Sequence, residues 1–528
     1  MANIMFISLY DRNAYGLRVM SANLRQHGHD CHMVFLKRYN NVPTYRLDLE
    51  VGEYPWMGIA KNGRVFKYAS NSHISPTELE LLRQTIEKVK PQVIGLTVNT
   101  PLRSQAIKVT RYLKEHTTIP IIWGGYDPTV NASDCLKLCD YACVGEGDQT
   151  VLEIAARLDE GRSFDDVGNL IFMRKGFPVT NPRYPVEQNL DLYPWRDDDP
   201  AYKYFIEDDK ILENYDKVND RARGIYQTMS ARGCPYKCTY CCEATFKDIY
   251  SGEKFLRRRS AENIVAELAA AKERYGLTKI HFDDEIFAMN LKWLDVFVPL
   301  YKRDVNLPFT AYIYPTRNIE KILGLLKEAG LVYCCLALES GSERINKKVF
   351  DRVYDKELFL HTAAVCKQLG IAFYTDVITY NPYEEEEDLR RTLDVLTEIG
   401  GGFEMCINKL FVLPGTKMAQ QMAAEGKPIE NGSRDKLFNY YCRLYWITSF
   451  TRHSKKLIGF VERMPIFRRR PELLNPAVLE FVLHPVRWSI AQGRRRLPAT
   501  VVEAIQDWRQ ARYRRRPDTA SDQVLVCR

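Results

Sequence analysis

No apolar run in the chain approaches the 18 residues that a membrane-spanning helix needs, and the longest candidates, such as Leu331 to Leu338, have the length of strands. The start, Met1-Ala-Asn-Ile-Met-Phe-Ile-Ser-Leu9, lacks the basic region and long apolar core of a secretory signal, so a cytoplasmic location is expected. An excess of one charge is all but lacking. Lys plus Arg number 75 against 67 for Asp plus Glu, and that net +8 is too mild to name a nucleic-acid partner. Nothing resembles a base-reading motif, so no nucleic acid is expected. With 45% hydrophobic and 27% charged residues, general disorder is excluded. What is present is length and sulfur: 528 residues predict about three domains at roughly 150 residues each. Fourteen cysteines in a reducing compartment direct attention to metal or redox chemistry.

The charge is unevenly placed. Residues 451–528 hold 17 Lys/Arg against 7 Asp/Glu, a net of +10, which leaves residues 1–450 at about −2. Runs at Arg468 to Arg470, Arg494 to Arg496 and Arg514 to Arg516 alternate with apolar stretches such as Leu479 to Leu483. That composition suits helices lying on an anionic surface, and a solvated helical extension is the competing reading.

Over the first 160 residues, strand and helix patterns alternate. Strands are expected at Ile4 to Leu9, His32 to Leu36, Val93 to Thr97, Ile121 to Trp123 and Tyr141 to Gly145. Helices are expected at Tyr15 to His27, Pro76 to Lys90 with Ser75 as cap, Leu102 to Glu115 and Ala132 to Leu138. Strict alternation predicts an α/β domain with a doubly wound, Rossmann-like parallel sheet, whose ligands bind beyond the carboxyl ends of the strands. Those ends carry the informative residues: Asp11, Asn13 and Gly16, then Thr97-Val-Asn99, then Gly124-Gly125, then Gly145-Glu146-Gly147. Glycines there let backbone approach a bulky ligand, although turn geometry explains any one of them alone.

Together these positions resemble the cobalamin-binding domain, whose pattern is D-x-H-x-x-G, S-x-L, then G-G some 27 residues later; Thr97 to Gly124 spans that distance. The chain departs from the pattern at Asn13, which stands where the family histidine ligates cobalt, at Thr97 and Asn99, and at Asp127, where a histidine often follows the double glycine. An amide is a poor cobalt ligand beside an imidazole, so the resemblance implies cobalamin held without a protein imidazole from this motif.

A hairpin is expected over Asn169 to Val179, followed by a polar linker to about Ala222. Then comes Ser230-Ala-Arg-Gly-Cys234-Pro-Tyr-Lys-Cys238-Thr-Tyr240-Cys241-Cys242. Three cysteines spaced C-x-x-x-C-x-x-C can hold three irons of a 4Fe-4S cluster and leave the fourth open. Zinc would want a fourth ligand at short spacing, and Cys242, adjacent to Cys241, cannot easily share its metal face. The other ten cysteines read as buried thiols.

The spacing, with an aromatic residue before the third cysteine, is similar to the radical S-adenosylmethionine (SAM) superfamily, in which the open iron chelates SAM. Five further strands, at Lys279 to Phe282, Phe309 to Ile313, Tyr333 to Leu338, Phe373 to Ile378 and Cys406 to Leu410, suit that superfamily's partial (β/α)₆ barrel. The resemblance places Tyr240, Asp284, Glu285, Glu339 and Ser340 at the SAM site. Asp283-Asp-Glu285 replaces the usual Gly-Gly-Glu, Tyr380-Asn-Pro382 is a weak remnant of the fifth-strand pattern, and Leu413-Pro-Gly-Thr416 matches the barrel's exit.

Both resemblances together identify the chain as similar to cobalamin-binding radical SAM enzymes, of the class B methyltransferase-like kind related to anaerobic Mg-protoporphyrin ester cyclases. They imply a cobalamin-binding domain over 1–160, hairpin and linker over 161–222, a radical SAM barrel over 223–424 and a helical basic region over 425–528. They imply methylation of an unactivated carbon through a 5′-deoxyadenosyl radical and methylcobalamin, with oxidative cyclisation of a lipophilic or tetrapyrrole substrate as the alternative and a non-catalytic sensor as a third reading. A flavodoxin or ferredoxin would supply electrons. Contact of the basic tail with a membrane surface would favour a lipophilic small-molecule substrate. Aromatic residues at Phe438 to Tyr441 and Tyr445-Trp446 read as helix-packing core more than as a substrate cage.

Overall fold

The computed structural model describes residues 1–38, 40–44, 56–59, 65–69, 73–214, 224–427, 436–450 and 454–474. The chain opens with β1 (Asn3–Leu9), α1 (Tyr15–Gln26) and β2 (Asp30–Leu36), followed by three short strands, β3 (Asn40–Thr44), β4 (Trp56–Ile59) and β5 (Val65–Ala69). Alternation resumes with α2 (Pro76–Val89), β6 (Val93–Thr97), α3 (Arg103–His116), β7 (Ile121–Gly124), α4 (Tyr126–Cys135), β8 (Tyr141–Cys143) and α5 (Asp148–Asp159). Ser75 caps α2 in a reciprocal box: its hydroxyl accepts from Glu78 N, and the Glu78 carboxylate accepts from Ser75 N. The structure starts α4 six residues earlier than expected. Pro128 suits the first turn of a helix, and a kink at Asn131 leaves only the second half looking regular in sequence.

Strands β2, β1, β6, β7 and β8 lie side by side and parallel. The chain turns outward from β1 in one direction to β2 and in the other to β6, so the switch point lies between β1 and β6. Alternate residues of β1 enter separate cores: Met5, Ile7 and Leu9 pack under α2 and α3, while Ile4 and Phe6 pack under α1 and α5. Both faces are therefore covered, as a parallel sheet requires.

The hairpin β9 (Leu170–Arg174) and β10 (Phe177–Thr180) adds antiparallel to β8. The stretch read as linker requires correction. It contains β11 (Lys203–Glu207), parallel to β2, and β12 (Lys210–Glu213), antiparallel to β11, so the sheet has nine strands. The strand was hidden because both its ends are charged. Lys203 and Glu207 are nevertheless buried, Lys203 on Asp197 (2.9 Å) and Glu207 on Arg12.

A second sheet begins with β13 (Ile225–Thr228). Next come the two-residue strands β14 (Ala231–Arg232) and β15 (Arg257–Arg258), which pair with each other around α6 (Cys242–Ile249). Helices α7 (Ala261–Tyr275), α8 (Leu291–Asp304), α9 (Ile319–Ala329), α10 (Lys356–Gln368) and α11 (Glu386–Ile399) alternate with β16 (Lys279–Phe282), β17 (Phe309–Ile313), β18 (Leu331–Leu336), β19 (Ala372–Thr379) and β20 (Glu404–Lys409). Six strands, β13-β16-β17-β18-β19-β20, run parallel in that order, the expected partial barrel. From the segment between β2 and α2, β4 pairs antiparallel with β20 and β5 and β3 follow, extending the barrel sheet to nine strands.

After α12 (Lys417–Ala424), α13 (Lys436–Phe450) packs on α11 and the outer face of the barrel. Tyr441, Tyr445 and Trp446 are buried there, and the Tyr445 hydroxyl donates to Leu389 O at 2.8 Å. These aromatics are core. The chain continues as α14 (Ser454–Glu462) and α15 (Pro465–Arg469); residues 475–528, with the arginine runs at 494–496 and 514–516, lie outside the described residues. Among the described residues no helix is long and apolar enough to cross a membrane.

Candidate active site

The three cysteines lie on the loop between β14 and α6. Gly233 precedes them at φ +86°, and a Cβ there would sit 2.5 Å from Phe255 O, so only glycine serves. Cys241 N donates to Cys238 O (3.1 Å), closing the loop on itself. Thr239 pins it to the barrel: its N and Oγ1 donate to Phe350 O (2.9 Å) and Val349 O (2.6 Å), and its carbonyl accepts from Met418 N (3.0 Å). Burial, with the neighbouring Cys241 adding to it, pushes the Cys234 thiol up to about 12 and Cys238 up to about 11. The three thiols are thus mutual neighbours, with Cys238 buried and Cys234 and Cys241 partly exposed. Among the described residues no three His, Cys, Asp or Glu side chains converge as they would on a single metal ion. A cubane asks for a different arrangement, one thiolate per iron, and three soft donors on one short loop fit it.

Acidic residues follow the neighbouring strands. The Asp284 carboxylate, expected at the SAM site, is committed within the protein: Ser230 N (3.0 Å) and Ser230 Oγ (2.6 Å) donate to it, and Arg258 lies 3.5 Å away. It braces the start of the cysteine loop. Glu285 is exposed, and its charge acts on Cys234 and Cys241. Glu339 stands after β18 at φ +61°, its amide donating to Asp376 O (2.9 Å) and its carbonyl accepting from Ile378 N (2.8 Å). Burial pushes its carboxyl up to about 7, opposed by Arg352 and by a hydrogen bond from Tyr240. Arg352, which no sequence signal marked, lies 3.9 Å from Glu339, donates to Ala337 O (2.8 Å) and acts on Cys238. Tyr240, Glu339 and Arg352 therefore meet beside the second cysteine.

Ser340 is buried, with its Oγ 3.3 Å from Thr392 Oγ1 and accepting from Ser342 N (3.2 Å). A Cβ on Gly341 would lie 2.5 Å from Arg391 O and from Thr392 Cα, backbone that cannot yield cheaply. Gly341→Ala is expected to cost about 1–3 kcal/mol of stability, read as a lower urea midpoint at unchanged slope.

In the first domain, Asp11 Oδ1 accepts from Asn13 N (2.8 Å), and Arg18 Nε donates to Asn13 O (2.8 Å). Asn13 Oδ1 accepts from the buried Arg196 (2.7 Å), whose Nη1 also reaches Gln227 O at the end of β13 (2.5 Å). The amide oxygen at the position of the family's histidine is thus held by protein. Gly16 has nothing within 4 Å of a built Cβ, and Gly124 only Cys143 Cβ at 4.0 Å. These leave open room at the ends of β1 and β7, on either side of Thr97 at the end of β6, which is the kind of cradle a corrinoid needs. Gly125 is different: at φ +104°, its Cβ would press on Val98 O (3.1 Å) and Thr97 Oγ1 (3.3 Å). Asp127 is buried against Arg103 and accepts from Asn131 Nδ2 (3.2 Å), which gives it a structural partner.

Gly145-Glu146-Gly147 does not border that cradle in the same way. A Cβ on Gly145 would lie 2.0 Å from the Tyr250 hydroxyl, and one on Gly147 would lie 3.0 Å from Met20 Sδ. Glu146 N donates to the Tyr250 hydroxyl (2.8 Å), and the Glu146 carboxylate pairs with Arg232 (3.2 Å) and Arg257. Asp148 takes Arg232 in a fork at 2.7 and 3.0 Å. This loop is a clamp between domains. Tyr126 donates to Pro414 O (2.8 Å) and Tyr15 to Met229 O (3.4 Å), so the carboxyl ends of the first sheet's strands face the segments that follow the barrel's strands. Arg257 and Arg259 are buried although they stand in a run of three like charges, Arg257-Arg-Arg259.

Residues 228–396 match the radical SAM superfamily, and residues 69–155 match the B12 binding domain. The chain is 24% identical over 317 residues to an uncharacterized methyltransferase of Pyrococcus horikoshii, covering 59% of this chain and 65% of that protein. It is 26% identical over 273 residues to the anaerobic magnesium-protoporphyrin IX monomethyl ester cyclase of Rubrivivax gelatinosus, covering 50% of this chain and 46% of that one. The chain thus spans about half to two thirds of the length of these relatives. Its fold is similar to that of the radical S-adenosylmethionine methyltransferase TsrM from Kitasatospora setae, determined with cobalamin and a 4Fe-4S cluster, at a TM-score of 0.60, 17% identity and coverage of 80% and 78%.

Proposed function

We propose that this chain, whose residues 228–396 match the radical SAM superfamily and whose residues 69–155 match the B12 binding domain, is a cobalamin-dependent enzyme methylating an unactivated carbon of a small molecule. The observation that carries the reading is the apposition of the two sheets: the cysteine loop follows barrel strand β13, facing the open strand ends at Gly16 and Gly124. Cys234, Cys238 and Cys241 would hold the cluster, Glu285, Tyr240, Glu339 and Ser340 would border SAM, and Asp11, Asn13, Gly16, Thr97, Gly124 and Gly125 would border cobalamin. When bound, these groups supply a carbon-centred radical and a transferable methyl group. The chain's own part is placement. Asp284 fixes Ser230 and the start of the loop, Thr239 fixes its middle, and the Glu146–Arg232–Asp148 clamp keeps the two halves together. One electron is drawn from a donor of the flavodoxin or ferredoxin kind. The relative that is a cyclase supports a second reading, oxidation without methyl transfer.

The nucleosides formed from SAM separate these readings. Protein reconstituted with iron, sulfide and cobalamin, reduced and given SAM, is expected to release both 5′-deoxyadenosine and S-adenosylhomocysteine. 5′-Deoxyadenosine without S-adenosylhomocysteine would favour cyclisation, and neither product would overturn the enzymatic reading.

A further inference from the structure

Helices α14 and α15 form a surface unlike the rest of the molecule. On α14, Ser454, Ile458 and Val461 are buried and share one face, while Lys456 and Phe460 are exposed, as is Arg463 just past its end. Exposed apolar residues continue past the helix: Phe460 is 57% exposed, Met464 37%, Ile466 43% and Leu473 45%. Four of the thirteen large, exposed apolar side chains among the described residues thus fall within 21 positions, 454–474. Basic residues alternate with them. Arg468 is paired with Glu386, and Glu462 pairs with Arg390, but Lys455, Lys456, Arg463, Arg469 and Arg470 have no carboxylate within ion-pair distance among the described residues. The segment carries six basic and two acidic residues, a net of +4.

Exposed apolar side chains crowded into one short stretch and interleaved with cations that have no carboxylate partner among the described residues suit a recognition surface. Neither property alone selects a partner, but their interleaving does. Cations set beside apolar side chains at helical spacing match an interface that is anionic at its rim and hydrocarbon just beneath. Residues 475–528 continue the same sign, with ten basic against five acidic side chains. We propose that α14 and α15 seat the protein on the surface of a membrane containing anionic lipid, lying in the interface with Phe460, Met464, Ile466 and Leu473 inserted. This surface belongs to the outer side of the barrel and is independent of the chemistry assigned to its mouth.

Vesicle sedimentation with the full chain tests it. Wild type should pellet with phosphatidylcholine vesicles containing about 30% phosphatidylglycerol, stay in solution with phosphatidylcholine alone, and be released by salt near 0.5 M. Lys456→Glu/Arg463→Glu/Arg469→Glu should weaken binding about a hundredfold or more, given roughly fivefold per charge at such a surface. Phe460→Ser/Ile466→Ser keeps every charge and should weaken it about tenfold through lost insertion. Far-UV circular dichroism and gel filtration of both variants should match wild type. Wild type that ignores anionic vesicles overturns the proposal. So does wild-type affinity in either folded variant, which would assign binding to residues 475–528.

Discussion

Cys238→Ala is expected to remove the iron–sulfur centre and, with it, all SAM cleavage. Each thiolate of a three-cysteine site binds a separate iron, so a lost ligand is not replaced by its neighbours. Cys238 is the most buried of the three and lies in the middle of the loop that Thr239 ties to Val349, Phe350 and Met418. The backbone should therefore persist while the donor is gone. Iron and sulfide per chain should fall to background after anaerobic reconstitution, the visible charge-transfer absorption should vanish, and 5′-deoxyadenosine should drop below detection. The control is Cys242→Ala. Cys242 begins α6 and is adjacent to Cys241, so its removal should leave iron content unchanged. Wild-type iron in Cys238→Ala, or its loss in Cys242→Ala, would sink the assignment of ligands.

Arg232→Ala should have the largest effect on stability of any single change outside the cores. Arg232 is mostly buried, forks onto Asp148 at 2.7 and 3.0 Å and lies 3.2 Å from Glu146. Its ring contact with Tyr193, 4.8 Å from guanidinium carbon to ring centroid, completes its enclosure. Removing Arg232 leaves the buried Asp148 carboxylate without its ion pair while Glu146 keeps Arg257, and an unpaired buried charge costs on the order of 3–5 kcal/mol. The measurable result is a urea midpoint lowered accordingly, with protease cleavage appearing between the two domains. Combining Arg232→Ala with Asp148→Ala should cost clearly less than the two single changes added together. Additive costs would show that the two groups act separately.

What could be read from sequence was what depends on neighbours along the chain. The thiol spacing is local, as are the cap at Ser75 and the alternation that produced β6, β16 and β17 at their observed positions. What could not be read depends on partners far away. Gly145-Glu146-Gly147 has the composition of a ligand cradle, and only Tyr250, Arg232 and Arg257, some 85 to 110 positions on, make it a clamp. Asp284 looks like a ligand contact until Ser230 and Arg258 are placed against it. Strand β11 begins and ends in charge, a pattern that reads as solvent-exposed unless Asp197 and Arg12 are known to lie beside it.

The pairing of β4 with β20 has a consequence for synthesis. Residues 56–59 leave the ribosome some 350 residues before Met405 to Asn408, the strand they join. At usual elongation rates that interval is roughly 20–70 s, during which β4 can pair with β5 on one side while its other edge waits for β20. For that time the nascent chain presents an open strand edge, the feature most exposed to mispairing. The last barrel strand is then met by a waiting template rather than by solvent, so completion of the second half depends on a piece of the first made long before. Expressing the two halves as separate polypeptides would divide that edge between two molecules.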